Sequence, residues 1–218
     1  MPDEQPPPAE LPLRDETVAG FLDRLAARVP APGGGASAAL HAAQAAALLA
    51  MVARYSTGPK YEAHAAAIAR VTAAADELRD TALRLAEDDA RAFTAVTTAY
   101  ALPKATPEEK EARSGAIARA LAGAAVPPAD VIAAAARLTD LAEELLPVGN
   151  RNVITDVAAA AEAARAAATT ARVNVEINLG GVRDPLVRDA LIESVARVDA
   201  LSERADRITA AVREEIAA

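Results

Sequence analysis

Cysteine and tryptophan are both missing from this 218-residue chain, and aromatic residues make up only 2% of it. Without cysteine there can be no disulfide, thiolate nucleophile or thiolate metal ligand. With so few rings, the 52% of hydrophobic residues must build a core from Ala, Leu, Val and Ile. Small alanine faces let helices approach closely, which points to an all-α protein. His41 and His64 lie on different segments with no partner at metal-ligand spacing, so a metal site is not expected. Lysine is almost absent, occurring only as Lys60, Lys104 and Lys110, so most of the 23 basic residues are arginines. A net charge of −8 excludes a general nucleic-acid binder or a binder of anionic membranes, either of which needs a basic face. A small anionic ligand held by a few local cations remains possible. The chain also lacks a GxSxG elbow, a Walker loop and a dinucleotide fingerprint placed after a strand.

The first residues, MPDEQPPPAELP, are acidic and proline-rich, the opposite of a signal peptide. Long alanine runs are broken by Arg, Asp and Glu, so none reads as a membrane span. The expectation is a cytoplasmic protein with a loosely packed or disordered tail over residues 1–14 and a single helical domain over 15–218.

The informative stretch is VPAPGGGASAAL, from Val29 to Leu40. Gly33, Gly34 and Gly35 tolerate positive φ and leave their amides uncovered. Feeding a helix N-terminus, such a turn can surround an anionic group with N–H donors and the positive end of the helix dipole. Pro30 and Pro32 stiffen its entry.

Helical spacing organises the remainder. Asp15 is placed to cap a first helix with Val18, Phe21, Leu22, Leu25 and Val29 on one face. A helix from about Ser37 to Tyr55 is apolar nearly all round, which predicts burial at the centre or at an interface. From Tyr61 to about Ala99 no Gly or Pro occurs, so the helix there is long enough to invite a kink. Thr106, Pro107 and Glu109 signal another start. Further helices run from Pro127 to Leu146 and from Val153 to Leu179, and a last one runs from Asp184–Pro185 to the C-terminus. The sum is a bundle of about seven helices.

Against that apolar background, polar residues stand out. Asp88 and Asp89 are adjacent on a helix, so one can face the core while its neighbour faces water. Asp156 opens an alanine run, and Asn174 and Asn178 share a face at i, i+4. A buried Asp or Asn needs hydrogen bonds, because leaving it unpaired costs about 1–3 kcal/mol. These residues are therefore either register-setting core polars or site residues.

Taken together, VPAPGGGASAAL, TGPKY, EDDARAFTAV with ALPKAT, VPPADV, GNRNVITDVAAAA and NVEINLGGVRD resemble the cyclodeaminase/cyclohydrolase family, in family order and over roughly Thr17 to Ile216. The resemblance implies an all-helical homodimer, in stand-alone form, acting on the N5/N10 one-carbon unit of tetrahydrofolate. It implies either cyclodeamination of 5-formiminotetrahydrofolate or cyclohydrolysis of 5,10-methenyltetrahydrofolate. The folate is then the substrate, and no tightly bound cofactor or metal is required. On this reading Asp89 and Asp156 are the catalytic acids. Asn174 and Asn178 orient the pterin or the nucleophile, and Asn150 of GNRN joins them. Gly33, Gly34, Gly35, Lys60 and Lys104 meet the anionic p-aminobenzoyl-glutamate end. The alternatives are a non-catalytic helical dimer that binds folate or another anion, and an assembly bundle without a ligand.

Overall fold

The computed structural model describes residues 12–218, and among them every regular element is helical. Eight α-helices follow in order. They are α1 (Val18–Ala26), α2 (Gly34–Arg54), α3 (Ala65–Ala101), α4 (Pro107–Ala124), α5 (Val126–Leu145), α6 (Thr155–Leu179), α7 (Pro185–Ala196) and α8 (Val198–Ala217). Short 3-10 turns lie at Leu13–Asp15, Pro59–His64 and Arg151–Val153.

The all-α expectation holds, and α2 is the axis of the bundle. It packs on α3, α5 and α6, and α6 in turn packs on α5 and α8. Twelve of the 21 residues of α2 are buried, mostly alanines such as Ala39, Ala42 and Ala46. The facing side of α6 also buries alanines, among them Ala160, Ala164, Ala168 and Ala171. Methyl groups on both sides allow the two backbones a close approach. By length and hydropathy α2 could cross a membrane, but most of its apolar surface lies inside the bundle.

Several boundaries differ from the sequence reading. The first helix is capped by Thr17, whose hydroxyl accepts from the Gly20 amide at 3.0 Å, and not by Asp15. It ends at Ala26, four residues before Pro30. Residues 1–11 of the expected tail lie outside the described residues. Beyond them, Arg14 is docked on α3 through two 2.8 Å hydrogen bonds to Glu87. The long third helix is unbroken over 37 residues, about 55 Å. Thr106 and Glu109 form the expected capping box at α4. The single last helix divides at Arg197 into α7 and α8.

The glycine run also differs. Gly34 and Gly35 are not loop residues but the first turn of α2, with Gly33 as its N-cap. None of the three takes positive φ; among the described glycines only Gly58 does, at 95°.

Candidate active site

The amino end of α2 opens into a cleft of about 520 Å³. Gly33, Gly34 and Gly35 form its floor, Asp89 with Phe93, Val96 and Tyr100 one wall, and Asn174, Ile177 and Asn178 another. Three distant segments thus converge where the sequence reading placed a site.

The glycines are required by close approach. A Cβ on Gly35 would lie 1.9 Å from Asp89 Oδ1 and 2.3 Å from its Cγ. The carboxylate is therefore pressed directly onto the first turn of α2, where the Ala36 amide donates to it. Gly34 stands beside Asn174, with a hypothetical Cβ 3.4 Å from Nδ2, an ordinary contact.

Asp88 and Asp89 divide as the adjacent pair suggested. Asp88 turns outward and pairs with Arg91, one helical turn on. Asp89 turns inward, and burial pushes its carboxyl above the usual aspartate range. The Ala36 N–H works in the opposite direction, but desolvation is the larger effect. An acid of raised pKa in a cleft is suited to taking and returning a proton.

The asparagines complete the wall. Asn174 Nδ2 donates to the Thr170 carbonyl at 2.9 Å, and Asn178 Nδ2 donates to the Asn174 carbonyl at 2.8 Å. Neither Oδ1 accepts a protein hydrogen bond among the described residues, so both remain available to a ligand N–H.

Sequence reasoning missed the apolar walls. Phe93 and Tyr100 are 45% and 51% exposed, so they serve the cleft and not the core. The signal was present: Asp89, Phe93, Val96 and Tyr100 fall at i, i+4, i+7 and i+11, one face of a helix. In a chain with five rings, four line cavities, and Tyr55 is the exception.

Four expected site residues do not join this cleft within the chain. Asp156 is in the first turn of α6, 18 residues before Asn174, and a straight helix holds them about 27 Å apart. Asn150 lies at the carboxyl end of α2, where its Nδ2 donates to the Tyr55 carbonyl at 2.7 Å. Lys60 is in the 3-10 turn beyond that same end, with Nζ 5.4 Å from the centre of the Tyr61 ring. Lys104 is exposed in the α3–α4 loop, outside the cleft lining. The rigidity of α2 and α6 is the cause: motifs close in sequence to a helix end cannot reach its other end.

Comparison with known proteins bears on the chain as a whole. A profile of the formiminotransferase-cyclodeaminase family matches residues 17–197. A methenyltetrahydrofolate cyclohydrolase of Methylorubrum extorquens is 38% identical over 195 residues, covering 87% of this chain and 94% of that protein. The formimidoyltransferase-cyclodeaminase of Mus musculus is 34% identical over 194 residues, but these span only 35% of its length. Among solved structures, a formiminotetrahydrofolate cyclodeaminase from Thermotoga maritima superposes with a TM-score of 0.82 at 31% identity, covering 93% of this chain and 98% of that one. The profile covers most of the chain, and the chain belongs to the formiminotransferase-cyclodeaminase family.

Proposed function

We propose that the cleft at the amino end of α2 remakes the one-carbon bridge between N5 and N10 of tetrahydrofolate. The chain is then a folate one-carbon enzyme, a reading supported by the names of its relatives. The single observation that carries it to a residue is Asp89, a buried acid of raised pKa held against Gly35 in a ring-walled cleft.

Both candidate reactions pass through a tetrahedral carbon bonded to two nitrogens. In the hydrolytic direction water adds to the methenyl carbon and its proton goes to the Asp89 carboxylate. The C–N5 bond then breaks as N5 takes that proton back from Asp89 and the new hydroxyl releases its own, so 10-formyltetrahydrofolate and one proton remain. In the deaminating direction N10 attacks the formimino carbon as its own proton passes to the formimino nitrogen, which takes a second proton and leaves as ammonia, giving 5,10-methenyltetrahydrofolate. A carboxylate close to the cationic amidine also stabilises its charge. Asn174 and Asn178 offer amide oxygens to pterin N–H groups, while Phe93 and Tyr100 supply the flat apolar walls a bicyclic ring needs.

The enzyme is further proposed to act as a homodimer. Supporting this, Ile177 at the cleft mouth and Val18 on α1 are each 78% exposed, apolar side chains that a second copy would cover. Sedimentation at several concentrations checks it.

The deciding assay offers 5-formiminotetrahydrofolate and 5,10-methenyltetrahydrofolate side by side, following methenyl absorbance and ammonia release. Consumption of at least one above the buffer rate is expected. Folate-induced thermal stabilisation with no turnover of either would favour the binding-only alternative.

A further inference from the structure

Beside the cleft lies a second, smaller cavity of about 230 Å³ between α4 and the turn that joins α6 to α7. Its lining includes Arg113, Ser114, Gly180, Gly181 and Arg183, and it shares Leu121 with the cleft. Leu121 is thus a one-residue partition between the two spaces. Its side chain rests so closely on Gly181 that a Cβ there would lie 2.2 Å from Leu121 Cδ1.

Both arginines are positioned by neutral groups. Arg113 donates through Nε and Nη2 to the Tyr100 carbonyl at 3.3 and 3.0 Å, and its guanidinium lies 5.6 Å from the centre of the Tyr100 ring. Arg183 donates through Nη2 to Ser114 Oγ at 2.8 Å. Among the described residues neither forms an ion pair. Arg14, Arg54, Arg70, Arg165, Arg172 and Arg204 each have a carboxylate partner. Arg84 and Arg188 likewise donate to neutral oxygens, so what marks Arg113 and Arg183 is that both line one notch that no acid lines. A guanidinium fork matches a carboxylate in two-point geometry, and each of these forks has donors left over.

We infer that this notch binds the carboxylates at the glutamyl end of the substrate through Arg113 and Arg183, with Tyr100 between the notch and the reacting end. The inference rests on the folate reading and gives it a polarity: pterin toward Gly35 and Asp89, anionic tail over Leu121 toward α4. It also replaces Lys60 and Lys104 as the groups that meet that tail.

The test compares 5,10-methenyltetrahydrofolate with 5,10-methenyltetrahydropteroate, which lacks the glutamate. Arg183→Gln, whose side chain makes a single protein hydrogen bond at a surface hydroxyl, should fold normally, and Arg113→Gln is the second variant. For the glutamylated substrate each variant should raise KM about 10- to 100-fold, the loss of one charged hydrogen-bonding partner, with kcat within about twofold. For the pteroate Arg183→Gln should equal the parent. Unchanged KM, or an equal rise for both substrates, overturns the inference while the folate reading stands. If the parent turns over neither one-carbon substrate, the functional reading falls. The notch is then judged by thermal shift with folic and pteroic acids: extra stabilisation by folic acid that disappears in Arg183→Gln supports it, and equal stabilisation rejects it.

Discussion

The two ends of α2 carry similar kinds of residue and differ in how they are satisfied. At the carboxyl end the polar groups bond to one another. Ser56 Oγ donates to the Val52 carbonyl at 2.7 Å and accepts from the Asn150 amide at 2.8 Å. Asn150 Oδ1 accepts from the Asn152 amide at 3.0 Å, and Arg54 pairs with Asp76 at 2.5 Å. A cavity of about 590 Å³ opens there as well, larger than the cleft at the amino end. Size therefore does not separate the two. At the amino end Asp89 has been desolvated with only a backbone N–H in return, and two asparagine oxygens lack protein donors. Groups that satisfy each other close a loop, whereas groups left unsatisfied at a fixed spacing await a ligand.

The largest effect expected from breaking this contrast is at Asp89. Asp89→Asn keeps the shape and removes the proton carrier, so kcat should fall about 10²- to 10⁴-fold. Stability should move the other way. The folded-state pKa is raised, so holding Asp89 ionised costs stability once pH exceeds the unfolded-state value, and the full cost is present above the folded-state value. The variant should melt no lower than the parent at neutral pH. Its margin should vanish in acid, where both side chains are neutral. A lower melting point at neutral pH would instead make Asp89 a structural residue. The same shift places the acid limb of the parent kcat/KM profile above the ordinary aspartate range.

Next in size is a pair of glycine substitutions. Gly35→Ala drives a methyl into the Asp89 carboxylate, 1.9 Å from Oδ1, so activity should fall by at least about tenfold as the acid is displaced. Overpacking costs about 1–3 kcal/mol, while alanine in place of glycine in a helix returns about 1 kcal/mol. The net loss of stability should thus be small beside the loss of rate. Gly34→Ala meets only Asn174 Nδ2 at 3.4 Å and should be tolerated in both respects. Equal behaviour of the two variants in melting and turnover would contradict the close approach at Gly35.

Asn150→Ala tests the other end. It removes one hydrogen bond to the Tyr55 carbonyl and one within the turn, which costs about 1–2 kcal/mol, or roughly 2–8 °C in Tm for a chain this size. The kcat should stay within about twofold of the parent. A large loss of turnover without a change in melting would move Asn150 back into a site.

The elements that could be read from sequence were those governed by local rules. Helical periodicity placed the central helix, and Thr106 with Glu109 fixed the start of α4, because capping chemistry depends on residues three apart. The Asp88/Asp89 split and the Asn174/Asn178 face followed from the same 3.6-residue period. The cap of α1 went to Thr17 instead of Asp15 because both are acceptable N-cap types and only packing chooses. The grouping of the site was legible in half. Gly35, Asp89 and Asn174 met as expected, while Asp156, Asn150 and Lys60 did not. Sequence proximity to a helix says nothing about which of its ends a residue serves.

Asp156 is where the smallest effect is expected, and where the comparison between the two ends is most exposed. The family resemblance implies a second catalytic acid here, but α6 holds Asp156 about 27 Å from Asn174 along the helix. Within one copy it cannot reach a carbon held beside Asp89. Asp156→Asn should therefore change kcat/KM by less than about threefold, the scale of a long-range Coulomb effect screened beyond about 10 Å. If it instead abolished turnover and left the melting curve intact, geometry would admit one explanation: the carboxyl end of α2 in one copy meets the amino end in another. Mixing Asp89→Asn and Asp156→Asn proteins would then restore activity in the hybrid, because each copy would supply the acid the other lacks. Absence of any recovery on mixing, after a loss in both single variants, would exclude that geometry and return Asp156 to the fold.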